Sequence, residues 1–200
     1  FFFIIFCYIC LYTFGMDTIR CGWVGNDSLY ILYHDTEWGV PVYDDAKIFE
    51  FLLLETFQAG LSWITVLKKR ENFRRALDNF DYRKIASYGQ DKFDTLIKDA
   101  GIIRNKLKIR ATISNAIAFM EVQKEFGSFS EYIWGFVDGK PIKNVGSNVS
   151  KVNTRLSDTI SKDLKKRGFK FVGTTVVYAH MQATGMVNDH TTDCFRYSEV

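Results

Sequence analysis

Ile109, Ile113, Ala116, Ile117 and Met120 fall at i, i+4, i+7, i+8 and i+11, the stripe of a long amphipathic helix. Little in the chain interrupts such a period. Only Pro41 and Pro141 remove backbone donors, and strict apolar–polar alternation is scarce. Asp44 and Asp45 are suited to cap a strongly apolar helix carrying Ile48, Phe49, Phe51, Leu52 and Phe57 and ending near Gly60. A second helix is predicted over Trp63 to Leu77, basic on one side through Lys68, Lys69, Arg70, Arg74 and Arg75, and a third over Lys92 to Lys98, closed by Gly101. Short helices around Tyr132 and Leu164 and an apolar one from Phe171 to Ala183 complete an all-α reading. Pro141 to Asn148 is the expected loop between two lobes.

Composition narrows the class. With 47% hydrophobic and 24% charged residues, the 200-residue chain can bury one sizeable core or two small ones. That excludes collagen, low-complexity disorder and a multi-span membrane protein. A net charge of +3 permits an acidic partner without requiring one. Phe1 to Tyr12 is an unbroken apolar run, shorter than the roughly 20 residues that span a bilayer and without the basic start of a secretory signal. Residues 1–15 are expected to be upstream translation or an assembly artefact, with Met16 opening a normal start; a short membrane-associating tail is the alternative. Residues 16–200 then form one unit of two helical lobes. Cys7 and Cys10 form a CxxC inside the leader with no partner ligands nearby.

Three constellations could carry chemistry. Cys21, His34, His190 and Cys194 supply two sulfurs and two nitrogens, the donor set tetrahedral zinc favours. Each pair taken alone reads more simply as ordinary surface or core residues. Together they use both cysteines of the body and would tie its two ends in a closed structural site, with thiolates that imply a reducing compartment. His180 reads as a core or pocket-wall residue.

Second, Trp23, Tyr30, Tyr33 and Trp38 precede the buried helix, Glu55 lies on it and Trp63 follows it. Ile48, Phe51 and Leu52 stand seven, four and three positions before Glu55, so the carboxylate shares their apolar face. Two readings stand. Either Glu55 reaches solvent or an arginine and the aromatics are simply core, or π-faces and one anion line a pocket for a flat cationic ring. Third, residues 96–111 place Gly101 between two helices with Arg104, Lys106 and Lys108 nearby. That is either an ordinary helix end or a hairpin whose N–H groups and cations hold a phosphate. Lys165, Lys166 and Arg167 form a further basic cluster, which alone reads as a solvated face.

On these residues the chain closely resembles the 3-methyladenine DNA glycosylase I family. The resemblance covers residues 20–194 and rests on RCGWV (20–24), LYxxYHDTEWGVP (29–41), LETFQAGLSWITVLKKRENF (54–73), DAGIIRNKLKI (99–109), LKKRGFKFVGTT (164–175) and MQATGMVNDH with Cys194. It implies an all-α helix-hairpin-helix glycosylase fold with a zinc-stabilised lobe joining the N- and C-terminal segments. It also implies base excision repair by hydrolysis of N3-methyladenine from alkylated double-stranded DNA, by a cytoplasmic monomer holding one structural zinc. The family's ligands map onto Cys21, His34, His190 and Cys194, its base-recognising acid onto Glu55, and its pocket aromatics onto Trp23, Tyr30, Tyr33, Trp38 and Trp63. Its DNA contacts map onto the wedging loop Ala59, Gly60 and Leu61, and onto the hairpin at Gly101, Arg104 and Lys106. No general base is assigned. His180 departs from the apolar or aromatic residue expected there, which would alter pocket polarity. A zinc-stabilised module that binds alkylated sites without cleaving them, and an RNA-processing or nucleoside hydrolase, are the competing classes.

Overall fold

The computed structural model describes residues 18–145 and 151–200; the leader, its CxxC and Met16 lie outside them. The described residues are mainly helical, in the order α1 (Ser28–Thr36), α2 (Asp45–Gln58), α3 (Trp63–Leu67), α4 (Arg70–Ala76), α5 (Tyr82–Ala86), α6 (Gln90–Leu96), α7 (Lys106–Phe126), α8 (Phe129–Trp134), α9 (Arg155–Lys166) and α10 (Thr174–Ala183). Two strands of two residues, β1 (Ile142–Lys143) and β2 (Val187–Asn188), pair in parallel. No described helix is long and apolar enough to cross a membrane.

α2 is the axis of the core. The Asp44 carboxylate accepts from the Lys47 N–H at its start, and every residue from Ile48 to Phe57 is buried. A helix apolar nearly all round must be surrounded. Phe49 meets Phe119 of α7 with ring centroids 4.9 Å apart, and Phe119 stacks on Phe129 of α8 at 4.1 Å. Each buried phenylalanine contributes about 1.5–3 kcal/mol.

The predicted stripe on α7 is displaced. The buried face runs through Ile109, Thr112, Ala116, Phe119 and Val122, while Ile117 is exposed. Two polar residues hide that face in the sequence because their hydrogen bonds are met internally. The Thr112 hydroxyl donates to the Lys108 carbonyl, and the Asn115 amide both donates to and accepts from the Lys170 backbone.

The helix predicted over Trp63 to Leu77 breaks into α3 and α4 at Lys68–Lys69. The backbone bond from Lys69 N–H tightens to Val66, and the Lys69 side chain leaves for the carbonyls of Ala100 and Gly101. Its basic side is largely used up internally. Lys68 pairs with Asp27, Arg70 with Glu37 and Glu50, and Arg74 with Glu50 and Glu71. Arg167 likewise reaches Asp163 and Glu125 rather than solvent alone.

In α10, helix begins at Thr174 rather than Phe171, whose φ of 56° bends the chain before the Gly173 cap. The interlobe loop predicted at Pro141 to Asn148 contains β1, and its last residues lie outside the described ones. A close approach fixes how the C-terminal half meets the N-terminal one. Gly185 has φ +69°, and a Cβ there would lie 2.4 Å from the backbone of Val40 and Pro41. Beside it, Val42 N–H donates to the Thr184 carbonyl and Gly39 N–H to the Gln182 carbonyl.

Candidate active site and metal centre

Where α1, α2, α3 and α10 converge, a cavity of about 600 Å³ opens. Trp23, Tyr30, Tyr33, Trp38 and Trp63 all line it, together with Glu55. Their placement is local. α1, capped by Asp27, turns Tyr30 and Tyr33 inward, Glu55 projects from the last turns of α2, and Trp63 starts α3. Trp23 packs edge-on to Tyr30 at 5.1 Å and to Trp38 at 4.9 Å, and Tyr33 leans on Trp63 at 5.3 Å. Such tilted arrangements interlock aromatic walls.

Glu55 is 3% exposed. The arginines that would have settled it as an ordinary ion-paired residue bind Glu50 instead, leaving Glu55 Oε2 with no hydrogen-bond partner among the described residues. Burial pushes its carboxyl up to about 8, as expected for a carboxylate with no cation beside it. The indole N–H of Trp63 is also buried and has no partner among the described residues. The cavity wall thus offers one acceptor and one donor, both unmet, among π-faces. Unmet buried polar groups cost stability and are retained where something else satisfies them.

Gln58, Gln182, Asp189 and Thr191 also line the cavity and were not singled out in the sequence. Asp189 accepts from the Tyr178 hydroxyl and the Gln182 amide, each at 2.7 Å, and from Asn144. A buried carboxylate with three neutral donors belongs to a network no local pattern announces. His180 is a core residue rather than a pocket wall. Its Nε2–H donates to the Ile48 carbonyl at 3.2 Å, and burial lowers its pKa to about 4, so the altered pocket polarity expected of it does not arise.

Behind the aromatic wall lies the Cys–His cluster. The four ligand atoms of Cys21, His34, His190 and Cys194 all lie within 4.8 Å of one another, and all four residues are buried. Sγ of Cys194 is 3.5 Å from His34 Nε2 and 3.6 Å from His190 Nδ1, and Sγ of Cys21 is 3.5 Å from His190 Nδ1. The far nitrogens are spoken for. His34 Nδ1 meets the Asp35 carboxylate at 2.7 Å, itself held by Arg20, and His190 Nε2 meets the Trp38 carbonyl at 3.2 Å. That arrangement fixes the tautomers and turns two lone pairs toward the sulfurs, as partners behind metal-binding imidazoles do. Burial lowers both histidine pKa values, that of His190 to about 4, keeping the rings neutral. The cluster can hold a metal ion. It shares its wall with the cavity, since Cys21 lines both and the Trp38 ring stands 4.6 Å from that of His190.

The remaining DNA-facing candidates form a separate surface. Ala59, Gly60 and Leu61 make an exposed turn after α2, with Gly60 at φ +83° and Leu61 42% exposed. Arg104 and Lys106 are exposed on the hairpin that joins α6 to α7. The hairpin is longer than the sequence suggests, because α6 ends at Leu96 and α7 starts only at Lys106 under the Asn105 cap. The Gly101 N–H is taken by the Asp99 carboxylate at 2.7 Å. Lys108, expected to face outward beside Arg104 and Lys106, is 5% exposed and turned inward, its Nζ donating to the carbonyls of Phe57 and Ala59.

This geometry has counterparts among known proteins. The family model described as methyladenine glycosylase matches residues 23–197. DNA-3-methyladenine glycosylase 1 of Escherichia coli (strain K12) is 51% identical over 180 residues, covering 89% of this chain and 96% of that protein. A crystal structure of 3-methyladenine DNA glycosylase I, 51% identical, superposes with a TM-score of 0.86 over 88% of this chain and 98% of that one. The Staphylococcus aureus 3-methyladenine DNA glycosylase I, solved for the structural basis of its 3-methyladenine recognition, is 34% identical, with a TM-score of 0.85 over 88% and 95% of the two chains. With the match spanning nearly all the described residues, the chain belongs to the methyladenine glycosylase family.

Proposed function

We infer that this chain is a DNA-3-methyladenine glycosylase, which removes 3-methyladenine from alkylated DNA by hydrolysing the N-glycosidic bond. One observation carries the reading at residue level: Glu55 is buried and unpaired on the wall of an aromatic cavity. A lone carboxylate among π-faces is costly when the cavity holds nothing, and it becomes favourable when a flat cation enters. Adenine methylated at N3 and still joined to its sugar is such a cation. Its exocyclic amino group donates to Glu55, and its rings lie against Trp63 and the other aromatics.

The base must first leave the duplex, at a cost of a few kcal/mol of unstacking. Leu61, on the exposed Ala59–Leu61 turn, fills the gap as an apolar wedge, while Arg104, Lys106 and the hairpin backbone after Gly101 hold the phosphates. Water attacks C1′ as the C1′–N bond breaks, forming the C1′ hydroxyl and giving up its second proton to solvent. The bond's electron pair goes to the base, which departs neutral, so no strong general acid is needed. Tight binding of the cation does not by itself lower the barrier. The residues therefore act by extruding the nucleotide, holding its sugar open to water, and leaving the phosphates to stabilise oxocarbenium character. Glu55 is a recognition residue.

Zinc suits the Cys–His centre. Two thiolates and two neutral imidazoles around Zn²⁺ make a net-neutral unit fit for burial, with no open position for chemistry, so the metal's role is to hold the fold. We assign a cytoplasmic monomer on double-stranded DNA.

The test is chromatography of bases released from methylated DNA, with elemental analysis of the same protein. Free 3-methyladenine and one zinc per chain are the expected results. Folded protein that binds methylated DNA and liberates no base at any concentration would instead be a lesion-binding module.

A further inference from the structure

Lys108 is a buried cation that base recognition leaves unused. It lies on the first turn of α7, immediately after the hairpin, its backbone N–H held at 3.2 Å by the Asn105 cap. Its Nζ crosses to α2 and donates to the Phe57 carbonyl at 2.8 Å and the Ala59 carbonyl at 2.7 Å. α2 needs that help. Its Ala59 cap has no backbone N–H bond back into the helix among the described residues, and the following turn is closed by Leu61 N–H to the Gln58 carbonyl at 2.6 Å. The last carbonyls of a helix normally find a partner in the chain just beyond it; here a lysine from another helix supplies one. The position does α7 no service, because an ammonium at a helix start opposes that helix's dipole while one at a helix end favours it. On the hairpin's other side, Lys69 Nζ donates to the carbonyls of Ala100 and Gly101, and Asn72 to Gly101.

We propose that Lys108 is a positioning residue that locks the Ala59–Leu61 turn to the hairpin. When the hairpin grips a phosphate, Leu61 is then already held at the depth where it fills the gap left by the extruded nucleotide. The proposal rests on the reading of Leu61 as the wedge. Lys108 does not line the cavity, so it acts on opening the duplex rather than on the lesion.

The experiment compares single-turnover release of 3-methyladenine from methylated duplex and from methylated single strand, with free 3-methyladenine binding followed by tryptophan fluorescence. Lys108→Met is expected to slow release from duplex tenfold or more, while the single-strand rate and base affinity stay within twofold. Lys108→Arg, which keeps donors over both carbonyls, is expected to restore most of the duplex rate. Leu61→Ala is the control. If it shows no duplex-selective loss, the wedge reading fails regardless of Lys108. If Leu61→Ala is duplex-selective but Lys108→Met slows both substrates equally, or neither, the positioning role is wrong. Should Lys108→Met lose its helical circular dichroism, Lys108→Gln takes its place, its amide reaching one carbonyl, and the same ratio decides.

Discussion

Glu50 and Glu55 stand five residues apart on one helix and have opposite fates. Burial alone would raise Glu50, but Arg70, Lys47 and Arg74 hold it below the usual carboxylate range. Glu55 has no such company and burial pushes it up to about 8. Between pH 4.5 and 8 the folded protein therefore keeps a proton that the unfolded chain has released. That contribution is fully present below the unfolded value and is lost as pH rises through the window, by up to about 1.4 kcal/mol per pH unit. Glu55→Gln removes the titration. Its melting temperature relative to wild type is expected to climb steadily from pH 5 to pH 8, while release of 3-methyladenine falls at least tenfold. A constant difference across that range would mean the carboxylate finds a partner in solution. The sequence made Glu55 legible through its spacing from Ile48, Phe51 and Leu52. It misled about Lys108, because a lysine among Arg104, Lys106 and Arg110 reads as solvated, and only the distant carbonyls of α2 draw it inward.

At the scale of elements, the long periodic helices were readable, and α6, α8 and α9 fall about where helices were expected at Lys92–Lys98, Tyr132 and Leu164, whereas α1, α5 and the two strands were not. α2 and α7 declare themselves by apolar spacing, although Thr112 and Asn115 disguise part of the buried face of α7. α1 escapes because Leu32 is 57% exposed while Tyr30 faces the cavity, so no simple stripe exists. α5 has five residues and the paired strands two each, too few to show a period. Turns carry sharper consequences. Gly185→Ala meets both a positive φ and the backbone of Val40 and Pro41, with no flexible side chain to yield. It is expected to cost about 4 kcal/mol or more in urea denaturation. Gly60→Ala meets nothing within 4 Å, so it is expected to cost only backbone strain, roughly 1–2 kcal/mol. Equal losses at the two positions would show that the segment around Pro41 gives way.

Across the whole molecule, the metal centre joins residues that the chain separates by more than 150 positions, as the Cys194–His34 approach shows. Residue type alone suggested that set, since two Cys and two His invite one tetrahedral site; the fixing of His190 by the Trp38 carbonyl was beyond reach, because it depends on a backbone atom brought in by the fold. Removing zinc with a chelator is expected to speed amide exchange in residues 19–24, 34–38 and 188–196 together, to leave the middle of α7 protected, and to weaken free-base binding as Trp38 loosens. Uniform exchange throughout the chain, or none, would separate the metal from both the ends and the pocket. The Ile19 carbonyl accepts the Phe195 N–H at 3.1 Å, so two stretches far apart in sequence are stitched together next to the metal ligands Cys21 and Cys194. A pair of probes at residues 19 and 195 would therefore report one seam, their separation growing only when that seam, and the ligand set beside it, comes apart.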